Sequence, residues 1–197
     1  MSCFEFSESG IFYTEGDGRE TLIGFTDYFS NVSRMPLAGE AGSYALKPLL
    51  RELYEDASDD PACFLTDCIL AKHHMSSPSP QRLLFLGNTG GKSMDHAGSL
   101  LSAFHPFSAV YPFPFEVLDG TPGEEYFDMV VLEADAPVSE PDQKIRAAIR
   151  LCNKEGIILC HAPGDPLLDE VFSLLLPDRR DYSPAPGVML RAAVPKA

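Results

Sequence analysis

Positive charge is scarce in this sequence. Fifteen lysines and arginines face 29 aspartates and glutamates, for a formal charge of −14. A surface of that sign repels phosphate backbones and anionic lipid, so neither nucleic acid nor a membrane is an expected partner. The one tight basic pair, Arg179-Arg180, is flanked by Asp178 and Asp181. Long apolar runs are missing too; none approaches the ~20 residues that a membrane-spanning helix needs. The opening MSCFEFSESG has no basic n-region and no apolar h-region, so the expected location is the cytoplasm. Cysteine is sparse, and its odd count of five excludes a full disulfide framework and suits reduced thiols. What is present is 45% apolar and 22% charged residues, the composition of a globular chain able to bury a core. A length of 197 residues fits one domain, or a small N-terminal unit attached to one core domain.

Cys63, Cys68, His73 and His74, in DPACFLTDCILAKHHM, are all zinc-ligating residue types. The segment, however, reads as a helix with Asp60 as N-cap and Pro61 in its first turn. Five-residue spacings place successive members ~140° apart around a helix that turns ~100° per residue. Those four side chains therefore do not converge, and buried cysteines followed by a polar helix end is the expectation.

The N-terminal part, 1–75, reads as a β-hairpin around Gly16-Asp17-Gly18 followed by helices. In SYALKPLLRELYEDA, Leu46, Leu49, Leu50 and Leu53 share a helical face, with Pro48 expected in the first turns. SSPSPQ, Ser76 to Gln81, marks a boundary. From 82 to 197 strands and helices alternate. RLLFLG is a buried strand; SMDHAGSLLSAF is a helix with Ser93 or Asp95 near its cap; FEVLDG and FDMVVLEAD are strands. SEPDQKIRAAIRLCNKEG is a helix capped by Ser139 and ended by Gly156; IILCHA is a strand. A helix capped by Asp165 and stopped by Pro177 follows, then the strand VMLRAAV. HPFSAVYPFPF, with three prolines, is irregular or an edge. The predicted class is α/β: a Rossmann-like, mostly parallel sheet with helices on both faces. Ligands of such sheets bind beyond the carboxyl ends of the strands, where the turn after Leu86 lies.

That turn, GNTGGKS, invites three readings. A triphosphate P-loop needs Gly, four residues, then Gly-Lys-Ser/Thr; Gly91-Lys92-Ser93 ends correctly, but the leading glycine would have to stand at Leu86. A dinucleotide turn needs Gly-x-Gly-x-x-Gly and a ribose-binding acid ~20 residues on, and both the spacing and the acid are wrong. The third reading comes from resemblance. LFLGNTGGKS resembles the first motif of class I S-adenosylmethionine-dependent methyltransferases of the O-methyltransferase type, at Leu84, Gly87, Gly91 and Ser93. YFDMVVLEAD resembles the family's fourth strand, AIRLCNKEGIILCHA the following helix, turn and fifth strand, and SYALKPLLREL the helix before the core.

The resemblance implies a reduced methyltransferase core with S-adenosylmethionine held by Gly87, Asn88, Thr89, Gly90, Gly91, Ser93 and Asp135. It also implies that Glu133 after strand four and His161 after strand five face the reaction, as metal ligands or as groups that deprotonate a hydroxyl. The metal itself is left unspecified. Phe85 stands where the family carries a strand-one acid. Phe104 to Phe127 is too short for the usual second strand, helix and third strand, and Glu116 or Asp119 would have to replace the ribose-binding acid. Lys92 and His96 read as ordinary surface residues of the following helix. The functional expectations are methyl transfer to a small molecule, or a non-catalytic descendant of the fold that binds a ligand or protein partner. A P-loop-like nucleotide binder is the third. The N-terminal hairpin is a candidate lid, or the arm of a homodimer.

Overall fold

A computed structural model describes residues 3–15, 18–26, 40–77, 79–87, 90–118 and 125–195, with backbone alone at 40–45. The expected hairpin is part of a three-stranded antiparallel sheet: β1 (Phe4–Phe6), β2 (Gly10–Glu15) and β3 (Gly18–Gly24), in that order. Two helices follow, α1 (Glu40–Asp56) and α2 (Pro61–Met75). Pro48 lies inside α1 rather than in its first turns. Asp60 caps α2 as expected, its carboxylate accepting the Cys63 amide at 3.0 Å.

The second sheet has six strands. In chain order the elements are β4 (Arg82–Gly87), α3 (Lys92–Phe104), β5 (Ala109–Phe113), a 3-10 turn (Phe115–Leu118) and β6 (Phe127–Glu133). Then come α4 (Pro141–Leu151), β7 (Cys152–His161), α5 (Pro166–Leu175), β8 (Arg180–Ala185) and β9 (Val188–Ala193). The strand order is β5-β4-β6-β7-β9-β8. β5, β4, β6 and β7 run parallel, whereas β9 runs antiparallel between β7 and β8. The mostly parallel sheet of the sequence reading is therefore present.

Because side chains alternate across a strand, the sheet serves two cores. Leu83, Phe85, Met129, Val131 and Leu159 face one cluster, which they share with α1, α2, α3 and the N-terminal sheet through residues such as Leu50, Phe64, Leu100 and Tyr13. Leu84, Leu86, Val130, Leu132, Ile158 and Cys160 face the other, with Ile145 and Ala148 of α4 and Leu168 and Phe172 of α5. Burial on both faces is why these strands read as unbroken apolar runs.

Several local expectations are corrected. FEVL is a 3-10 turn, not a strand; Phe115 and Leu118, three residues apart, fall on its one buried side. The strand at that edge is AVYPF, tolerating Pro112 because it has a neighbour on only one side. α4 is capped by Glu140 in the left-handed region at φ 52°, with no side-chain cap from Ser139, and it ends at Leu151. Gly156 lies within β7, where an added Cβ would stand 2.7 Å from the Asp128 carbonyl oxygen. The N-cap of α3 is Gly91, not Ser93 or Asp95. β8, with Pro184 on the far edge, is an element the sequence reading lacks.

Candidate functional site at the carboxyl edge

The chain leaves β4 toward β5 on one side and returns to β6 on the other. The carboxyl ends of β4 and β6 thus form a topological switch point, the place where open α/β sheets bind ligands. A cleft of about 290 Å³ opens there, and its lining includes Gly87, Phe115, Glu116, Glu133, Asp135 and Val138.

Gly87 has φ +125°, and an added Cβ would stand 1.8 Å from the Glu133 carbonyl oxygen and 3.2 Å from the Phe115 ring. Glycine is required there by the packing of β4 against β6. Gly90 differs: among the described residues, a Cβ on it meets nothing within 4 Å, so a side chain there would not collide. Gly91 opens α3 without a side-chain cap, so the first amides of the helix rely on other partners. Asn88, Thr89 and Asp119 lie outside the described residues. Ser93 is buried, and its hydroxyl bonds the Glu133 carboxylate.

Glu133 and His161 are register partners on β6 and β7, so the two side chains leave neighbouring strands at the same edge. Burial raises the Glu133 carboxyl above its ordinary range; the Ser93 hydroxyl and the charge of His161 pull the other way. The His161 ring lies with Nδ1 2.8 Å from the Met189 carbonyl oxygen, so Nδ1–H donates and Nε2 is the basic nitrogen of the neutral ring. The loops behind these residues are tied together. The Gly164 amide donates to the Ala134 carbonyl at 3.0 Å, and Asp165 accepts the Val138 amide at 2.8 Å while its other oxygen caps α5. An added Cβ on Gly164 would stand 2.0 Å from the Asp135 backbone. Of the residues predicted from sequence, the fold thus brings Gly87, Glu116, Glu133 and Asp135 to one cleft, with Ser93 bonded to Glu133 and His161 its register partner on β7.

Lys92 does not reach toward the cleft. Its ammonium donates to the Asp56 carbonyl at 2.7 Å and to Asp59 at 2.9 Å, tying α3 to the turn between α1 and α2. His96 is not a surface residue. It is 5% exposed, with Nδ1 2.7 Å from Asp67 and Nε2 2.9 Å from Asp56. Burial alone would lower its pKa, but the two carboxylates outweigh that and raise it; Asp67, wholly buried, is raised by its own desolvation. Cys63 lies 3.5 Å from the same Nδ1. The sequence held one signal for this cluster: a lone aspartate within the otherwise apolar FLTDCILA, four residues after Cys63.

No family model matches the sequence, and no curated protein matches it. Among solved structures, the DszA carbon methyltransferase is similar over 70% of this chain and 54% of its own, at 12% identity and a TM-score of 0.50. The chain therefore spans about half the length of that protein. The O-methyltransferase from Bacillus cereus, solved with S-adenosylhomocysteine, aligns over 84% of this chain and 96% of its own at 12% identity and TM-score 0.43. TomG from Streptomyces achromogenes, solved with S-adenosylmethionine, aligns over 86% and 96% at 16% identity and TM-score 0.43. Likeness at such identities establishes a fold, not a chemistry. The mostly parallel six-stranded sheet flanked by helices and the DszA likeness agree: the chain has a divergent form of the class I S-adenosylmethionine-dependent methyltransferase fold.

Proposed function

We propose that the chain binds S-adenosylmethionine at the β4–β6 switch point and transfers its methyl group to a hydroxyl of a small molecule. The observation that carries this reading is the cleft itself. It sits at the switch point with Gly87, Glu116 and Glu133 in its lining, and His161 is the register partner of Glu133 on the neighbouring strand. The residues present suit the cofactor. Gly90 carries no side chain to obstruct a ligand at this turn, and Glu116 supplies, from just beyond β5, a carboxylate able to accept ribose hydroxyls. When bound, the cofactor supplies an electrophilic methyl on a sulfonium. With the cofactor in place, His161 Nε2 would accept the proton of the substrate hydroxyl, and the Glu133 carboxylate would balance the imidazolium so formed. The Met189 carbonyl holds the ring in the tautomer this requires. Among the described residues, no helix is long and apolar enough to cross a membrane.

Two observations favour a second reading, a non-catalytic binding protein. Phe115 packs against Gly87 within the apolar cluster, and the cleft, at about 290 Å³, is at the small end for a ligand site of ~300–1,000 Å³. Isothermal titration with S-adenosylmethionine and S-adenosylhomocysteine separates the two. Micromolar binding of either supports the enzyme reading. No heat and no thermal shift with both rejects it.

A further inference from the structure

Behind the cleft, on the α2–α3 side of the sheet, is a cluster that methyl transfer does not use. Cys63 and Asp67 are four residues apart on α2 and share one helical face. His96 reaches them from α3. All three are buried, at 2%, 0% and 5% exposure. Cys63 Sγ, a carboxylate oxygen of Asp67 and a ring nitrogen of His96 all lie within 4.8 Å of one another. Among the described residues, Asp67 Oδ1 has no hydrogen-bond partner, and a buried unpaired carboxylate oxygen carries a desolvation penalty that a cation would remove.

The donor set is selective. Thiol sulfur, imidazole nitrogen and carboxylate oxygen together suit zinc and its neighbours, not magnesium or calcium, which take oxygen ligands. Bond lengths of ~2.0–2.1 Å to nitrogen and oxygen and ~2.3 Å to sulfur put ligand atoms ~3.3–3.6 Å apart around a tetrahedral zinc. The Cys63 Sγ to His96 Nδ1 distance is 3.5 Å, and the His96 Nδ1 to Asp67 Oδ2 distance of 2.7 Å needs only to widen slightly. Asp56 completes the arrangement. Its carboxylate, 2.9 Å from Nε2, accepts that N–H and leaves Nδ1 turned toward the thiol and Asp67, the carboxylate–histidine–metal relay common in zinc proteins.

We propose that Cys63, Asp67 and His96 form a three-ligand site for a zinc-class divalent ion, with Asp56 orienting the imidazole. The metal displaces the thiol proton of Cys63 and the proton shared by His96 and Asp67. Three protein ligands leave a fourth position, and Ser93, whose hydroxyl contacts Cys63 and also bonds Glu133, connects the cluster to the cleft.

The test uses the full chain stripped with chelator, without any cofactor, so that it is independent of methyl transfer. Co²⁺ is titrated in while the thiolate-to-cobalt charge-transfer band is followed, and Zn²⁺ retained after gel filtration is measured by mass spectrometry. Expected are one equivalent of zinc, a band that zinc abolishes and magnesium does not, and loss of the band in Cys63→Ser but not in Cys68→Ser. Asp56→Asn, acting only through the imidazole, should weaken metal binding ~10–100-fold. A folded wild-type chain with no band and no retained zinc overturns the proposal, leaving a protonated histidine between two aspartates. A band unchanged by Cys63→Ser overturns it equally, because the metal is then elsewhere.

Discussion

The carbonyl oxygen of Glu133 occupies the space into which a side chain on Gly87 would project, 1.8 Å from where its Cβ would stand. Two glycines of one turn therefore have different duties. Gly87→Ala should destabilise the fold by more than ~1 kcal/mol, from its positive φ and from the collision with β6. Gly90→Val, entering open space, should leave the melting temperature within a few degrees of wild type while reducing S-adenosylmethionine affinity at least tenfold. Thermal unfolding and titration on the two variants check both halves. An unaffected affinity in Gly90→Val would remove the backbone of this turn from the binding site.

His161 is proposed as the base, so His161→Gln should lower turnover ~10²–10⁴-fold while cofactor affinity changes little. Equilibrium titration beside steady-state rates, once a methyl acceptor is found, makes the comparison. Equal losses in affinity and turnover would make His161 a binding residue instead.

His74 predicts a pH dependence of stability. It is 1% exposed and stacked on Phe104 at 4.8 Å, with Nε2 bonded to Ser108 at 2.9 Å. Burial, assisted by the nearby His73 and His105, lowers its pKa from 6.5 to about 4. Between those values the unfolded chain binds the proton and the folded chain does not, so stability is full above pH 6.5 and falls as pH drops toward 4. The contribution lost is about 3 kcal/mol. Urea midpoints measured across that range should fall for the wild type and fall less steeply for His74→Leu.

Arg191 on β9 holds Asp169 of α5 through Nε at 2.5 Å and a second nitrogen at 2.7 Å, and Asp181 of β8 at 2.6 Å. The Arg191 side chain is 13% exposed, so this fork is shielded more than a surface pair. Arg191→Met should cost about 1.5–3 kcal/mol in urea unfolding. A loss within the scatter of replicate midpoints would show the fork to be no stronger than an exposed ion pair.

The four parallel strands differ in how plainly the sequence shows them. β4, β6 and most of β7 are legible because both faces are buried, which forces a continuous apolar run. The first residues of β7, Asn153 to Glu155, carry helix-like polarity because the register between Phe127 and Met129 skips them. β5 and β8 are edge strands with proline, so half their surface has no reason to be apolar. Glu133 and His161 are placed by those buried runs, and their pairing at one edge follows from strand order. His96 was hidden because its partners, Asp56 and Asp67, lie on other helices. No period or motif within α3 distinguishes a buried histidine with two distant carboxylates from an exposed one.

Gly164, pressed against the backbone of Asp135, makes one body of the loops that follow β6 and β7. Under the proposed function, the segments that carry Glu133 and His161 would therefore be expected to shift together rather than one at a time. Adaptation to a larger or differently shaped acceptor would then be expected from the opposite bank, beyond β5, where Pro114, Phe115 and Glu116 line the cleft.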